Sequence, residues 1–164
     1  MTSIRSDDFH RHMGVYGICV RKNQLLVIEK TLGPYTGQYD LPGGRPENYE
    51  SLTQTIVREF YEETGFVVSN TKQLGVCDFN VLWTLKDNTA EQLHHIAIMY
   101  EVEVDTEQDP RSIKTFVGQD SKAAKWVPVT DLTSSNSSPL VMNAVKWFIS
   151  RIFPVNDGFF DYRE

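Results

Sequence analysis

Arg58-Glu59-Phe60-Tyr61-Glu62-Glu63-Thr64-Gly65 crowds three carboxylates into little more than one turn of a predicted helix. Residues three and four apart are neighbours on a helix, so Glu59 faces both Glu62 and Glu63. Each like-charged pair costs about 0.2–0.5 kcal/mol. Gly65 is the natural C-terminal stop, which puts the carboxylates in the last turns, where the helix dipole favours cations. Only Arg58 lies close in sequence to offset them. A bound divalent cation would account for a cluster that otherwise repels itself.

The helix around this run is predicted over Ser51–Thr64. Ser51 followed by Gln54 is a capping-box pattern, and Gly65 closes the far end. Leu52, Ile56 and Phe60 form an apolar stripe beside the carboxylate face, so one side can be buried while the other meets a cleft. Immediately upstream, Thr31–Pro46 holds Gly33, Gly37, Gly43 and Gly44 with Pro34, Pro42 and Pro46, a loop with specific backbone demands. Before it, Val15–Arg21 and Leu25–Lys30 read as strands joined across Lys22-Asn23-Gln24.

Downstream, Cys77–Leu85 alternates. Cys77, Phe79, Val81, Trp83 and Leu85 share one face; Asp78, Asn80, Thr84 and Lys86 share the other, with Leu82 the exception. His95–Val104 alternates too, with Ile96, Ile98, Tyr100, Val102 and Val104 on one side. Asp105–Ser121 reads as a long loop, Ala123–Val127 as a short strand, Thr133–Ser138 as a polar linker, and Leu140–Ile152 as a second helix. Strands mixed with two helices far apart in sequence predict one α/β domain over residues 1–164. Its core would lie at about 13–153, with a C-terminal tail over 154–164. The sheet is expected to be mixed, with helices on both sides. The aromatic tail Phe159-Phe160-Asp161-Tyr162 can cover a partner or the chain's own core.

A chain of 164 residues suits one core, and 40% hydrophobic with 23% charged residues is a globular composition. No apolar run reaches the roughly 18 residues a membrane helix needs, so no membrane association is expected. Met1–Met13 lacks the apolar stretch of a secretory signal. Cys19 and Cys77 fall in apolar strand-like runs and read as buried free thiols, a disulfide or metal pair being the alternative. Together these features predict a cytoplasmic protein. The net charge of −6 argues against binding duplex nucleic acid, which needs basic patches.

Clustered carboxylates without nearby Cys or His select a hard cation, Mg²⁺ or Mn²⁺ rather than Zn²⁺. Mg²⁺ keeps some waters and also binds phosphate oxygens, so the cluster predicts a phosphorylated substrate. Gly43 and Gly44 let backbone approach a ligand closely, and a carbonyl there would complete a metal shell; a tight turn is compatible with this.

From Gly44 the chain reads five residues, Glu50, seven residues, Arg58-Glu59-Phe60, one residue, Glu62-Glu63, one residue, Gly65-Phe66. This resembles the Nudix box of the Nudix hydrolase family, with Phe60 and Phe66 where aliphatic residues are more usual. Supporting resemblance runs from about Val15 to Ile152, including Leu41-Pro42-Gly43-Gly44 before the box and Ala124-Lys125-Trp126-Val127-Pro128 after it. The resemblance implies an α/β/α sandwich and hydrolysis of a nucleoside diphosphate linked to another moiety. In that family water attacks a phosphorus of the P–O–P bridge while metal ions polarise the phosphate. It implies metal ligands at Glu59, Glu62 and Glu63 with Gly43 and Gly44. It also implies that Arg58 steadies the carboxylates and that Glu50 pairs with Arg58, a plain surface ion pair being the alternative. The general base varies across the family. Asp120, six residues before Trp126, is the loop candidate, with a turn role as its alternative; Glu62 and Glu101 are the other candidates.

Tyr35, Tyr39, Phe79 and Trp83 are candidates for stacking on a base, ordinary packing being the other role open to each. His94 and His95 are adjacent on a strand and point to opposite faces, so a structural or solvent role is expected of them. ADP-ribose-specific members of the family tend to carry a proline about fifteen residues after the box, and Val81 and its neighbours supply none. Dinucleoside-polyphosphate members tend to have a tyrosine slightly further on, where Trp83 stands. A sensing module of the same fold, binding such a ligand without turnover, is the alternative reading, and a protein whose carboxylates bind Ca²⁺ structurally is a third. Homodimers are common in the family.

Overall fold

Apolar residues on both faces of the central strands require a cover on each side, and the two helices supply it. The structure, a computed structural model, describes residues 9–105, 121–154 and 157–163. In chain order the strands are β1 (Phe9–Ile18), β2 (Val20–Arg21), β3 (Gln24–Lys30), β4 (Tyr39–Asp40) and β5 (Gly43–Gly44). Helix α1 (Leu52–Thr64) follows, then β6 (Val68–Thr84), β7 (Ala90–Val104), β8 (Ser121–Pro128), α2 (Pro139–Ser150) and β9 (Asp157–Asp161).

The first sheet runs β5-β1-β7-β6-β9 and is mixed: β1 is parallel to β7 and β6 to β9, while β5–β1 and β7–β6 are antiparallel. The second sheet centres on β3, which pairs antiparallel with β8, β2 and β4. Alternation divides the side chains between two cores. Tyr16, Val27, Phe79, Met99 and Val127 pack with Leu140, Val141, Ala144 and Trp147 of α2. Val15, Leu26, Ile98, Tyr100 and Val102 pack with Ile56 and Phe60 of α1. This is the mixed sheet between helices that the sequence predicts.

Helix α1 begins and ends where its caps dictate. Gln54 N–H donates to Ser51 Oγ at 3.1 Å and Ser51 N–H donates to Gln54 Oε1 at 2.8 Å. Gly65 takes the left-handed conformation with φ 75° and its N–H donates to Tyr61 O. The stripe behaves as its spacing predicts, with Ile56 and Phe60 fully buried. The two cysteines are both buried and belong to opposite cores, Cys19 on the α1 side and Cys77 on the α2 side, so they do not pair.

The structure departs from the sequence reading at several element ends, β7 starting at Ala90 rather than His95 among them, and three of the differences bear on the fold. First, β6 starts at Val68 rather than Cys77, because its polar first half (Ser69, Asn70, Lys72, Gln73) is held by pairing with β7 across two register shifts, not by burial. Second, β1 starts at Phe9, its exposed first half paired with Gln92–His95 of β7. Third, the tail beyond 153 is not peripheral. Strand β9 pairs with Asp78–Leu82, Phe160 packs edge-on against Phe79, and Tyr162 packs edge-on against Tyr35. The tail therefore covers the chain's own core. Among the described residues no helix is long and apolar enough to cross a membrane.

Candidate functional site

The carboxylates of α1 meet the Gly43–Gly44 segment at the edge of the first sheet. Strand β5 pairs with Val15 and Tyr16 of β1, which carries this backbone under the last turns of the helix. A Cβ on Gly44 would lie 2.5 Å from Glu59 Oε1, and one on Gly43 would collide with Val15 O. Gly43 also takes φ 155°, a conformation side chains disfavour. A side chain at Gly43 would push β5 off β1, and one at Gly44 would displace the Glu59 carboxylate. Gly43 N–H donates to Glu63 Oε2 at 2.8 Å, and Glu63 is buried.

Arg58 lies at the centre of the other carboxylates. Its Nε donates to Glu50 Oε1 at 2.7 Å and its Nη2 to Glu50 Oε2 at 3.0 Å, a bidentate pair across two helical turns. Its Nη1 donates to Glu59 Oε1 at 2.9 Å and to Glu62 Oε2 at 3.1 Å, and Nη2 also donates to Arg45 O at 3.1 Å. Glu50 accepts further hydrogen bonds from Glu47 N–H and Thr55 Oγ1, each at 2.9 Å. These donors, Arg58 first, pull the Glu50 carboxyl down to about 2. Glu50 first, with Glu59 and Glu62, holds the Arg58 guanidinium more firmly protonated than usual.

The expectation that the bare glutamates simply repel one another is corrected by this geometry. Arg58 takes Glu59 and Glu62, and the Gly43 amide takes Glu63, so each carboxylate has a compensating donor. Among the described residues no three acidic, His or Cys side chains converge as a ready-made metal cage. The donors nonetheless fit a hard cation: they are carboxylate oxygens, Glu62 is half exposed, and the Gly43–Gly44 backbone lies against Glu59 and Glu63.

The other candidates divide. Asp120 lies outside the described residues. Glu101 sits on β7 in alternation with Tyr100 and Val102, on the face shared by Ala97 and Met99, so the sheet separates it from α1. Tyr35 and Trp83 both line a pocket of about 490 Å³ between the two sheets, along with His10, His12, Lys30 and Glu91. Trp83 Nε1 donates to Glu91 Oε1 at 3.1 Å. Phe79 does not line that pocket; it is core, tilted against His95 and edge-on to Phe160. Tyr39 does not line it either; it is half buried in β4 with Lys125 Nζ 5.8 Å over its ring.

His94 and His95 diverge as strand alternation requires. His94 Nε2 donates to Asp78 Oδ2 at 2.8 Å near the surface. His95 is buried, with Nε2 at 2.8 Å from Tyr16 Oη and Nδ1 at 3.0 Å from Tyr35 Oη. Burial, reinforced by His12, Lys30 and His94, depresses its pKa to about 3, so the ring is neutral. The sequence reading passed over His10, His12 and Arg45. The signal is His10-Arg11-His12, which puts two imidazoles on one face of a strand, but the apolar pattern that marks the strand begins only at Val15.

A NUDIX domain family model matches residues 8–148. A curated ADP-ribose pyrophosphatase of Methanocaldococcus jannaschii is 37% identical over 67 residues, 41% of this chain and 40% of that protein. An uncharacterised Nudix hydrolase of Bacillus subtilis is 35% identical over 57 residues, 35% of this chain and 34% of the relative. The matched stretches thus span well under half the length of either relative. Among solved structures, a MutT NUDIX hydrolase from Burkholderia pseudomallei superposes with TM-score 0.64 at 22% identity, covering 84% of this chain and 97% of that one. The NUDIX domain of Shewanella oneidensis NrtR, complexed with ADP ribose, gives 0.65 at 17% identity, covering 92% and 94%. At these identities the likeness is one of fold.

Proposed function

The chain belongs to the NUDIX domain family, and from that premise we propose that it is a divalent-metal-dependent pyrophosphohydrolase acting on a nucleotide derivative. The observation that carries the proposal is the single hydrogen-bonded array in which Arg58 is pinned by Glu50 and in turn positions Glu59 and Glu62, beside Glu63 on the Gly43 amide. An array of carboxylates oriented by one arginine suits the binding of charge next to a phosphate.

In this reading Glu59, Glu62 and Glu63, with backbone of Gly43 and Gly44, hold Mg²⁺ or Mn²⁺. The bound cation supplies positive charge to the phosphate and makes a water more acidic. Glu50 and Arg58 are positioning residues. Arg58 shares Nη1 between Glu59 and Glu62, so it orders both without blocking their remaining oxygens. Asp120 is the proposed general base, with Glu62 the alternative on α1. The pocket lined by Tyr35 and Trp83 takes the nucleoside, its apolar walls offering faces for stacking.

ADP-ribose is the first substrate to test. The name of the Methanocaldococcus relative and the ligand of the Shewanella domain support it, although the proline associated with that specificity is missing here. The purified chain is incubated with ADP-ribose, nucleotide sugars and dinucleoside polyphosphates in Mg²⁺ or Mn²⁺, and products are resolved chromatographically. Cleavage of ADP-ribose at the bridge gives AMP and ribose 5-phosphate. No product from any compound, with ligand-dependent thermal stabilisation retained, would instead support a sensing module.

A further inference from the structure

Arg45 follows Gly43-Gly44 and joins the pocket to the carboxylate array. Its carbonyl accepts from Arg58 Nη2 at 3.1 Å. Its side chain runs the other way, to two residues that line the pocket. Nε donates to His12 Nδ1 at 2.9 Å, and Nη2 lies 3.1 Å from His10 Nε2. A guanidinium has no acceptor, so Arg45 is the donor in both bonds and each imidazole must present a lone pair. With Nδ1 accepting, a neutral His12 carries its proton on Nε2, which lies 3.0 Å from Tyr16 Oη. Tyr16 in turn touches His95. A buried hydrogen-bonded column therefore backs the His12–Arg45 contact.

Arg45 is exposed, and among the described residues no carboxylate forms an ion pair with it. Its contrast with Arg58 is direct, since Arg58 engages Glu50, Glu59 and Glu62. Two imidazole nitrogens, rather than a carboxylate, fix the direction of the Arg45 guanidinium without cancelling its charge, and its other N–H groups remain for a further acceptor. A carboxylate partner would have quenched the site; imidazoles keep it cationic.

We infer that Arg45, aimed by His10 and His12, is a phosphate-binding residue that grips the diphosphate where it passes from the nucleoside pocket to the α1 carboxylates. The inference rests on the function proposed above and adds a determinant of diphosphate recognition that acts before any metal is bound. A planar guanidinium meets two phosphate oxygens at once, whereas lysine offers a point charge. Substitution of the side chain leaves the carbonyl that receives Arg58 in place.

The test is calorimetric titration with ADP and with adenosine, both in excess chelator, using the wild-type chain, Arg45→Ala and Arg45→Lys. Thermal melts confirm that each variant is folded. Arg45→Ala is expected to weaken ADP by about 10- to 100-fold, the worth of charge-assisted hydrogen bonds. Arg45→Lys should fall between, and adenosine affinity should not change. Wild-type-like ADP binding by Arg45→Ala overturns the inference. So does an equal loss of adenosine, which would mean that Arg45 only shapes the pocket, and so does a wild-type chain that binds ADP no better than adenosine. Arg45-dependent ADP binding by a chain that hydrolyses nothing in Mg²⁺ or Mn²⁺ would remove the hydrolase reading and leave this inference standing.

Discussion

Glu50 and Arg58 are joined by two parallel hydrogen bonds, 2.7 Å from Nε to Oε1 and 3.0 Å from Nη2 to Oε2, spanning the first two turns of α1. This fork fixes the plane of the guanidinium, and the plane fixes where Nη1 meets Glu59 and Glu62. A lysine cannot reproduce it. Arg58→Lys is expected to reduce kcat more than tenfold with little change in KM, because the carboxylates lose their common alignment. Steady-state kinetics check this, and a KM-only effect would mean that Arg58 acts on substrate binding instead.

Metal removal should abolish turnover. Excess chelator is expected to stop hydrolysis and Mg²⁺ or Mn²⁺ to restore it, with Ca²⁺ a poor substitute because of its larger, looser coordination. Full activity in chelator would exclude the metal role assigned to Glu59, Glu62 and Glu63.

Glu63 separates structure from chemistry. Glu63→Gln keeps an oxygen for the Gly43 amide and removes the charge, so the fold should survive while activity falls by orders of magnitude. Glu63→Ala also strands a partly buried amide, and should cost about 1–3 kcal/mol of stability. Paired denaturation curves and rates distinguish the two variants. Equal stability for both would show that the Gly43 amide finds water instead.

Asp120 is tested by Asp120→Asn. A general base contributes about 10²–10⁴-fold, so the chemical step should slow by that order, with substrate affinity retained and the acidic limb of the pH–rate profile lost. Single-turnover rates give the answer. Wild-type behaviour, with the signature appearing in Glu62→Gln, would move the base onto α1.

Acid should destabilise the fold through His95 and Glu50. His95 is depressed from 6.5 to about 3, so the neutral ring's contribution is complete above 6.5 and is lost as pH falls toward 3, where the unfolded state takes up the proton first. Glu50 is depressed from 4.5 to about 2, so its contribution starts to fade only below 4.5. His95→Gln is therefore expected to flatten the stability profile between pH 6.5 and 4.5, and Glu50→Gln only below that. Urea midpoints across pH are the measurement, and an unchanged slope for His95→Gln would mean that the buried ring is not the titrating group.

Much of the site was legible because it is local. Ser51, Gln54 and Gly65 set the ends of α1 through their own backbone hydrogen bonds, and helical periodicity alone aligned Glu59, Glu62 and Glu63. The alternating runs in β6 and β7 announced strands with one apolar face each to bury, and glycines at 43 and 44 announced a close approach. What approaches them was not legible, because Glu59 and Glu63 meet that backbone only after β5 docks on β1.

The same distinction separates the aromatic candidates. Tyr35, Tyr39, Phe79 and Trp83 look alike in sequence, yet Tyr35 and Trp83 line the pocket and Phe79 does not, although Tyr35 and Phe79 share one buried core. Their difference comes from β9, a partner far along the chain, and from the spacing of two sheets. By itself, then, the sequence determined the helix, its caps, its row of carboxylates and the class of fold, since these follow from spacing within one element. Only the tertiary structure decided that the Gly43 amide satisfies Glu63, that Arg45 joins His10 and His12 in one cluster, and which of the aromatics line the pocket. Each of those outcomes is a contact between strands or loops remote in sequence, and such contacts are set by register and packing, which no local pattern encodes.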